Sequence, residues 1–326
     1  MRQRYCHLAR AGRELDGSAD GLEGIVLNEK DLTVFEYRRQ KNLLFADMVR
    51  DERLRNDYVR SSVFTTSCGW VDYAIYYPSQ RPKEALPAVF VFHGGGFVLG
   101  FYEQEGRCCR WLADRTGCAI VNVDYALAPE FKFPLPPYSS YEAVSAIMEK
   151  AEELGLDAER VVVMGHSSGG AIAADLCLIN RKQKKLDIVG EILDYAPLDQ
   201  KLDQTQRTTS DVRGSVSESK ALQYIHWYFE DDSDLEHPLA SPARCADLAG
   251  FPPTLVIEAE LDSLRHEEAV FAERARAAGV DVTEKLYEGC GHGFTHSVFG
   301  RGYAPEQAKD AWNLMAEFIS GVTAGR

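Results

Sequence analysis

The chain has 326 residues, an apolar share of 45% and a formal net charge of −14. That length suits one large domain with an extra subdomain, or two domains. The acidic balance speaks against nucleic acid and anionic membrane surfaces as partners, since both are bound through basic patches, and no window approaches the roughly 18 consecutive apolar residues that cross a bilayer.

Residues 1–58 are charged and poor in strand formers. Within them Leu32, Phe35, Leu43, Leu44 and Met48 recur at loosely helical spacing, which predicts one or two amphipathic helices apart from any main sheet. Residues 63–66 and 71–77 read as two strands of a hairpin around Cys68-Gly69. Residues 78–87 are polar and proline-bearing, hence loop.

From Ala88 onward strands and helices alternate. Strands are expected at 88–92, 119–123, 160–164, 188–193, 254–259 and 282–287. Helices are expected at 103–116, 137–154, 171–179 and 267–278. A last helix is marked by Ala308, Ala311, Trp312, Met315, Phe318 and Ile319, spaced by threes and fours. Such alternation predicts an α/β fold with a mostly parallel central sheet and helices on both faces. In such sheets ligands sit beyond the carboxyl ends of the strands.

The stretch 199–240 interrupts the alternation. It is polar at first, then aromatic through Tyr224, Ile225, Trp227, Tyr228 and Phe229, and it cannot be a central strand. The expected organisation is a helical cap segment over 1–58, a core of 59–198 and 241–326, and a cap insertion at 199–240. No internal repeat or low-complexity tract is present.

The centre of the chain is Val161-Val162-Val163-Met164-Gly165-His166-Ser167-Ser168-Gly169-Gly170. A buried strand runs into a buried helix through Gly-x-Ser-x-Gly. The turn is so tight that residues two before and two after the serine have no room for a Cβ. Ser167 meets that condition, with Gly165 and Gly169 as the spacers; Ser168 does not. The turn lifts the Ser167 hydroxyl above the sheet edge and brings the Ser168 amide and a helix N-terminus towards developing negative charge.

Three further motifs complete a hydrolytic set. His93-Gly94-Gly95-Gly96-Phe97 follows a strand, and its bare amides allow Gly94, Gly95 and Ser168 to form an oxyanion hole, with His93 and Gly96 as supports. Glu258, Glu260 and Asp262 compete at the end of the 254–259 strand. Asp262, in the loop beyond it, is the preferred orienting acid and Glu260 the second choice. His292 lies in Gly-His-Gly after the last strand, as the general base and then acid. His266 and His296 lack such a glycine frame. His292 and His296 share a spacing seen in zinc sites, yet no third ligand is evident, so no metal is expected. The order Ser, Asp, His is that of the α/β-hydrolase arrangement.

With these residues the chain resembles the hormone-sensitive-lipase-like branch of the α/β-hydrolases, the bacterial esterases with a His-Gly-Gly-Gly motif. The resemblance runs from about Ala88 to the C-terminus. It includes Asp124-Tyr125-Ala126-Leu127-Ala128-Pro129-Glu130, Pro238-Leu239-Ala240-Ser241-Pro242 and His292-Gly293-Phe294. It implies an α/β-hydrolase fold with a helical cap, and a serine carboxylesterase that acts on short acyl esters such as acetyl or butyryl esters and needs no cofactor. It also implies possible pairing of two copies through the last strand and helix.

Three departures stand out. His166 and Ser168 replace the family's usual Asp and Ala around the nucleophile, Ala126 replaces a usual arginine, and Ser263 replaces a common proline. The arginine's loss is expected to remove a salt bridge near the site. Two rivals stay open. The same machinery could cleave amides, and a receptor could be built on the fold, although receptors of that kind lack the histidine kept here at position 292. The aromatics Phe97, Tyr125, Tyr224, Trp227 and Tyr228 could line a pocket or form cap core.

Eight cysteines are scattered without a Cys-x-x-Cys, several within apolar runs. They read as reduced, buried thiols of a cytoplasmic protein. Met1 to His7 lead into no apolar core of signal-peptide length, which fits that compartment. The expected partner is a small ester.

Overall fold

A computed structural model describes residues 32–55, 57–100, 102–203, 214–297 and 302–324. Among them an eight-stranded sheet runs β1 (Val59–Thr65), β2 (Gly69–Tyr76), β3 (Leu86–Phe92), β4 (Ala119–Asp124), β5 (Leu156–His166), β6 (Ile188–Asp194), β7 (Thr254–Ala259) and β8 (Val282–Tyr287). Their spatial order is β1-β2-β4-β3-β5-β6-β7-β8. β1 and β2 form the expected hairpin, and β2 pairs antiparallel with β4. The other five pairings are parallel, which makes the sheet mostly parallel.

The central strands are buried on both faces, and this explains their unbroken apolar runs. Every residue of β3, β6 and β7 is buried except Ile188, which is half-buried. Alternate residues serve two separate cores. Ala88, Phe90, Phe92, Val161 and Val163 face α4 (Leu135–Met148), α6 (Ser168–Gln183) and α8 (Arg265–Ala277). Val89, Val91, Val162 and Met164 face α3 (Gly106–Thr116) and α9 (Pro305–Thr323). Each such valine, taken from water into these layers, contributes about 1.5–3 kcal/mol.

Several boundaries differ from the sequence expectation by two to four residues, and two elements change further. The helix expected over 137–154 is broken at Glu149 and Lys150 into α4 and a single turn, α5 (Ala151–Leu154), which Gly155 ends in a left-handed conformation. The strand expected at 160–164 extends over Leu156–His166, with its register shifting beside both neighbours.

Two further helical pieces lie outside the sheet layers. α1 (Val34–Leu44) starts at a Thr33–Glu36 capping box and is followed by α2 (Ala46–Arg53). α7 (Glu218–Tyr228) is capped by Ser217. The Tyr37 ring of α1 lies 5.4 Å from Trp227, and its hydroxyl is 2.8 Å from that of Tyr224. Helices thus occur before residue 58 and within 199–240 as expected, but the apolar face differs: Phe35, Leu43 and Leu44 are exposed, and Val34 and Tyr37 are the buried residues of α1; residues 1–31 and 204–213 lie outside the described residues. No helix among the described residues is long and apolar enough to cross a membrane. Seven cysteines are free thiols, five of them buried; Cys6 lies outside the described residues.

Two carboxyls are buried between α6 and the sheet. Asp175 is pushed well above the usual carboxylate range by burial and by Glu191. Burial also raises Glu191 to about 7, although Thr254 and Cys177 donate to it. Between the unfolded value near 4.5 and about 7, the folded chain keeps a proton at Glu191 that the unfolded chain has released. Folding stability therefore falls as pH rises through that window. Glu191→Gln removes this slope. Denaturant melts at pH 5 and pH 8 should show the variant gaining up to about 3 kcal/mol on the parent between the two pH values. An identical pH dependence in both proteins refutes this assignment.

Candidate active site

A strained turn of the backbone lies at Ser167. Its φ of 52° and ψ of −126° lie where side chains other than glycine are strained, at a cost of about 1–3 kcal/mol. Neighbours hold it there. The Ser167 amide donates to the Asp194 carbonyl at 2.9 Å, and the Ser167 carbonyl accepts from Gly170 at 2.8 Å. The flanking glycines are required by contact. A Cβ at Gly165 would lie 2.0 Å from the Gly169 carbonyl oxygen, and a Cβ at Gly169 would lie 2.0 Å from that of Phe92. Strand, turn and helix are thus pressed backbone to backbone.

The loops after β7 and β8 converge on this turn. His292 Nε2 lies 2.9 Å from Ser167 Oγ, and His292 Nδ1 lies 2.6 Å from Asp262 Oδ2. Both contacts are satisfied when Nδ1–H donates to Asp262 and Nε2 accepts from the serine hydroxyl. The His292 amide is tied to the Gly214 carbonyl at 2.8 Å. Asp262 is buried, and its second oxygen accepts from the Leu264 amide at 3.2 Å. The competing acids are engaged elsewhere. Glu260 accepts from the Gly289 amide at 2.7 Å. Glu258 lies 3.5 Å from Arg265 and is raised to about 7, chiefly by burial and then by Glu284.

Glu268 is a participant that sequence reasoning missed. It is buried behind Asp262 and accepts from the Ala196 amide at 2.7 Å. Burial first, and then the charges of Asp262 and Glu258, push it well above the carboxylate range. This favours its neutral form.

The glycine loop after β3 faces Ser167 across a cavity of about 360 Å³ that Gly94, Gly95, Ser167, Ser168 and His292 line. The Gly94 carbonyl is drawn back by His93 Nδ1 at 2.8 Å and by Gln104 Nε2 at 3.1 Å. In a trans peptide the following N–H, that of Gly95, points away from these two partners. Gln104 lacks a motif of its own and was not singled out from the sequence. His93 is itself held by Tyr125, which stacks on it at 4.3 Å and donates to its carbonyl at 2.9 Å.

The roof of the cavity comes from α1 and α7. Gly96 has a φ of 60°, and a Cβ there would lie 2.4 Å from the Tyr224 ring. Of the five aromatics left open above, Phe97 and Tyr224 line the cavity. Trp227 and Tyr228 are packed in the core, and Tyr125 lies buried beneath the glycine loop. A cation also reaches the loop where Ala126 replaces an arginine. Arg38 of α1 donates to the Val98 carbonyl at 2.6 Å, to the Ala128 carbonyl and to Glu130 at 2.6 Å.

Behind the elbow lies a buried polar cluster. His166 Nδ1 is 2.7 Å from Asp194 Oδ2, and its Nε2 is 3.3 Å from Glu105 Oε2. His296 Nε2 is 2.5 Å from the same Glu105 oxygen, and its Nδ1 is 2.7 Å from the Tyr195 hydroxyl. His296 thus lies within this cluster. Burial alone would raise the Glu105 carboxyl, but His166 and His296 outweigh it and hold it at about 2. Burial pulls His166 down, yet Glu105 and Asp194 raise it above its ordinary value.

Glu105, His166 and His296 offer possible ligand atoms all within 4.8 Å of one another. Two ligands on one tetrahedral zinc ion, each about 2.0–2.1 Å from it, stand about 3.3 Å apart. The 2.5 Å contact is instead that of a charge-assisted hydrogen bond. No sequence pattern announces the cluster, because its members are far apart in the chain.

A serine, an imidazole and a buried carboxylate in hydrogen-bonded line, beside a glycine loop on a mostly parallel sheet, match the arrangement of the α/β-hydrolases. A family model described as the alpha/beta hydrolase fold matches residues 89–296. An arylesterase of Saccharolobus solfataricus is 32% identical over 225 residues, which cover 68% of this chain and 72% of that protein. An ethyl acetate hydrolase of Pseudomonas putida is 29% identical over 97% of this chain and 96% of its own. A solved hyperthermophilic esterase from the archaeon Pyrobaculum calidifontis shares 30% identity and a TM-score of 0.80, covering 91% of this chain and 93% of its own.

The chain belongs to the α/β-hydrolase family, in its hormone-sensitive-lipase-like branch. It is a carboxylic ester hydrolase.

The crowding at the elbow makes Gly169→Ala a decisive change. The added methyl meets backbone that no rotamer can move aside. Its destabilisation should reach about 3 kcal/mol, with loss of ester hydrolysis. A parent-like melting temperature and rate would show that the turn has slack.

Proposed function

We propose that this chain is a serine carboxylesterase for short-chain acyl esters, working through Ser167, His292 and Asp262. The observation that carries the reading is the imidazole held between hydroxyl and carboxylate, 2.9 Å from one and 2.6 Å from the other.

Ser167 Oγ attacks the ester carbonyl while His292 Nε2 takes its proton. Asp262 keeps Nδ1–H in place and stabilises the imidazolium. The carbonyl oxygen gains negative charge facing the amides of Gly94, Gly95 and Ser168, each donor of such a hole contributing about 3 kcal/mol. The C–O bond breaks, and His292 passes its proton to the leaving alcohol. A water molecule, deprotonated in turn by His292, releases the acid from the acyl-serine.

Of the segments 1–58 and 199–240, we assign the described helices α1, α2 and α7 to a cap over a core built from the described residues of 59–198 and 241–326. The placement of α1 and α7 over the cavity supports this. The preference for short chains is supported by a cavity of about 360 Å³ whose walls include Phe97, Leu99 and Tyr224. The ethyl acetate hydrolase among the relatives points the same way.

A p-nitrophenyl ester series from C2 to C12 tests the substrate class. Rates should be highest at C2 to C4 and fall with chain length. Ser167→Ala should lower kcat by at least about 10⁴-fold, and Asp262→Asn by on the order of 10³ to 10⁴ through the wrong imidazole tautomer. Parent-like turnover in Ser167→Ala sinks the mechanism, and a clear preference for matched anilides would favour an amidase.

A further inference from the structure

We propose that His166 is a positioning residue: enclosed between Glu105 and Asp194, it holds the Ser167 elbow against β6 and, through Tyr195, the ring of His292. The proposal rests on the roles assigned to Ser167 and His292.

Asp194 is the joint. Its backbone carbonyl receives the Ser167 amide at 2.9 Å, while its side chain receives the adjacent His166 ring at 2.7 Å and the Thr295 hydroxyl at 2.8 Å. One residue of β6 thus fixes the nucleophile by its backbone and the nucleophile's neighbour by its charge. The ring of the next residue, Tyr195, meets His292 in a T-shaped contact, 4.9 Å between centroids. The Tyr195 hydroxyl is tied to Thr295 Oγ1 at 2.8 Å and to His296 Nδ1 at 2.7 Å. The same cluster therefore braces both ends of the proton-transfer pair.

Charge gives position 166 its meaning. Its ring, Asp194 and Glu105 are all almost wholly buried. Without a cation between them, two carboxylates would face each other's field in low dielectric. The aspartate usual at this position in the resembling family would add a third acid against Asp194. Removing one partner of a buried ion pair strands the other, whereas removing both is far milder.

The test is kcat per active site, counted by fluorophosphonate titration, in His166→Asn, Asp194→Asn and the double variant. His166→Asn should lose about 30-fold or more with KM nearly unchanged, and adding Asp194→Asn should recover at least about fivefold, because the stranded carboxylate is gone. A purely structural role lowers the melting temperature and the titratable fraction and leaves kcat per site intact; that outcome overturns the proposal. So does a double variant no better than His166→Asn. If His166→Asn does not fold, Asp194→Asn alone is read the same way: a fall in kcat per titrated site with KM nearly unchanged upholds the proposal, and a parent-like kcat per site overturns it. Titration of Ser167→Ala separates the two readings, since labelling there would place the nucleophile elsewhere and so dismiss the underlying mechanism.

Discussion

Ser167 keeps its hydroxyl above the sheet because three stretches of backbone meet around it with no side chain between them. The Phe92 carbonyl lies where a Cβ of Gly169 would be, and the Gly169 carbonyl where a Cβ of Gly165 would be. The Asp194 carbonyl takes the strained residue's amide. β3, β5, β6 and α6 are locked to one another at this point. The glycine loop leaves β3 and the acid and histidine loops leave β7 and β8, so all of them are placed relative to the same turn. A local strain of a few kcal/mol persists because the surrounding layers over-determine it.

Charge is arranged around that turn by pairing like and unlike groups. Asp262 faces His292 and has Glu268 behind it; burial and repulsion drive Glu268 towards its neutral form. On the other side of Tyr195, Glu105 and Asp194 enclose His166. The two histidine systems meet at Tyr195, whose ring makes a T-shaped contact with His292 and whose hydroxyl is hydrogen-bonded to His296. In a low-dielectric interior each such group is costly alone and tolerable in company. The positions of these groups are therefore interdependent.

The helical roof is coupled to the same chemistry. Arg38 joins α1 to the end of the glycine loop and to the 124–130 segment, and the Tyr37–Tyr224 contact joins α1 to α7. Tyr224 lies on Gly96, within the loop proposed to stabilise the oxyanion. Movement of the roof would bear directly on that loop. The resembling family's arginine at position 126 is missing here, and Arg38 brings a cation from a different element to the acid of the same loop.

The alternation of strands and helices, the elbow and the Gly-His-Gly loop were legible in the residues alone, because each depends on local spacing or on a turn that glycine must make. Asp262 could be preferred over Glu260 by its place after the strand. The Glu105–His166–Asp194 cluster, Glu268 behind Asp262, Gln104 on the Gly94 carbonyl and Arg38 under the roof left no such mark. Their meaning arises only when segments distant in the chain are packed together and the dielectric falls. A periodicity or a tight turn is a property of a few consecutive residues, whereas a buried charge takes its partner and its protonation from whatever the fold brings alongside.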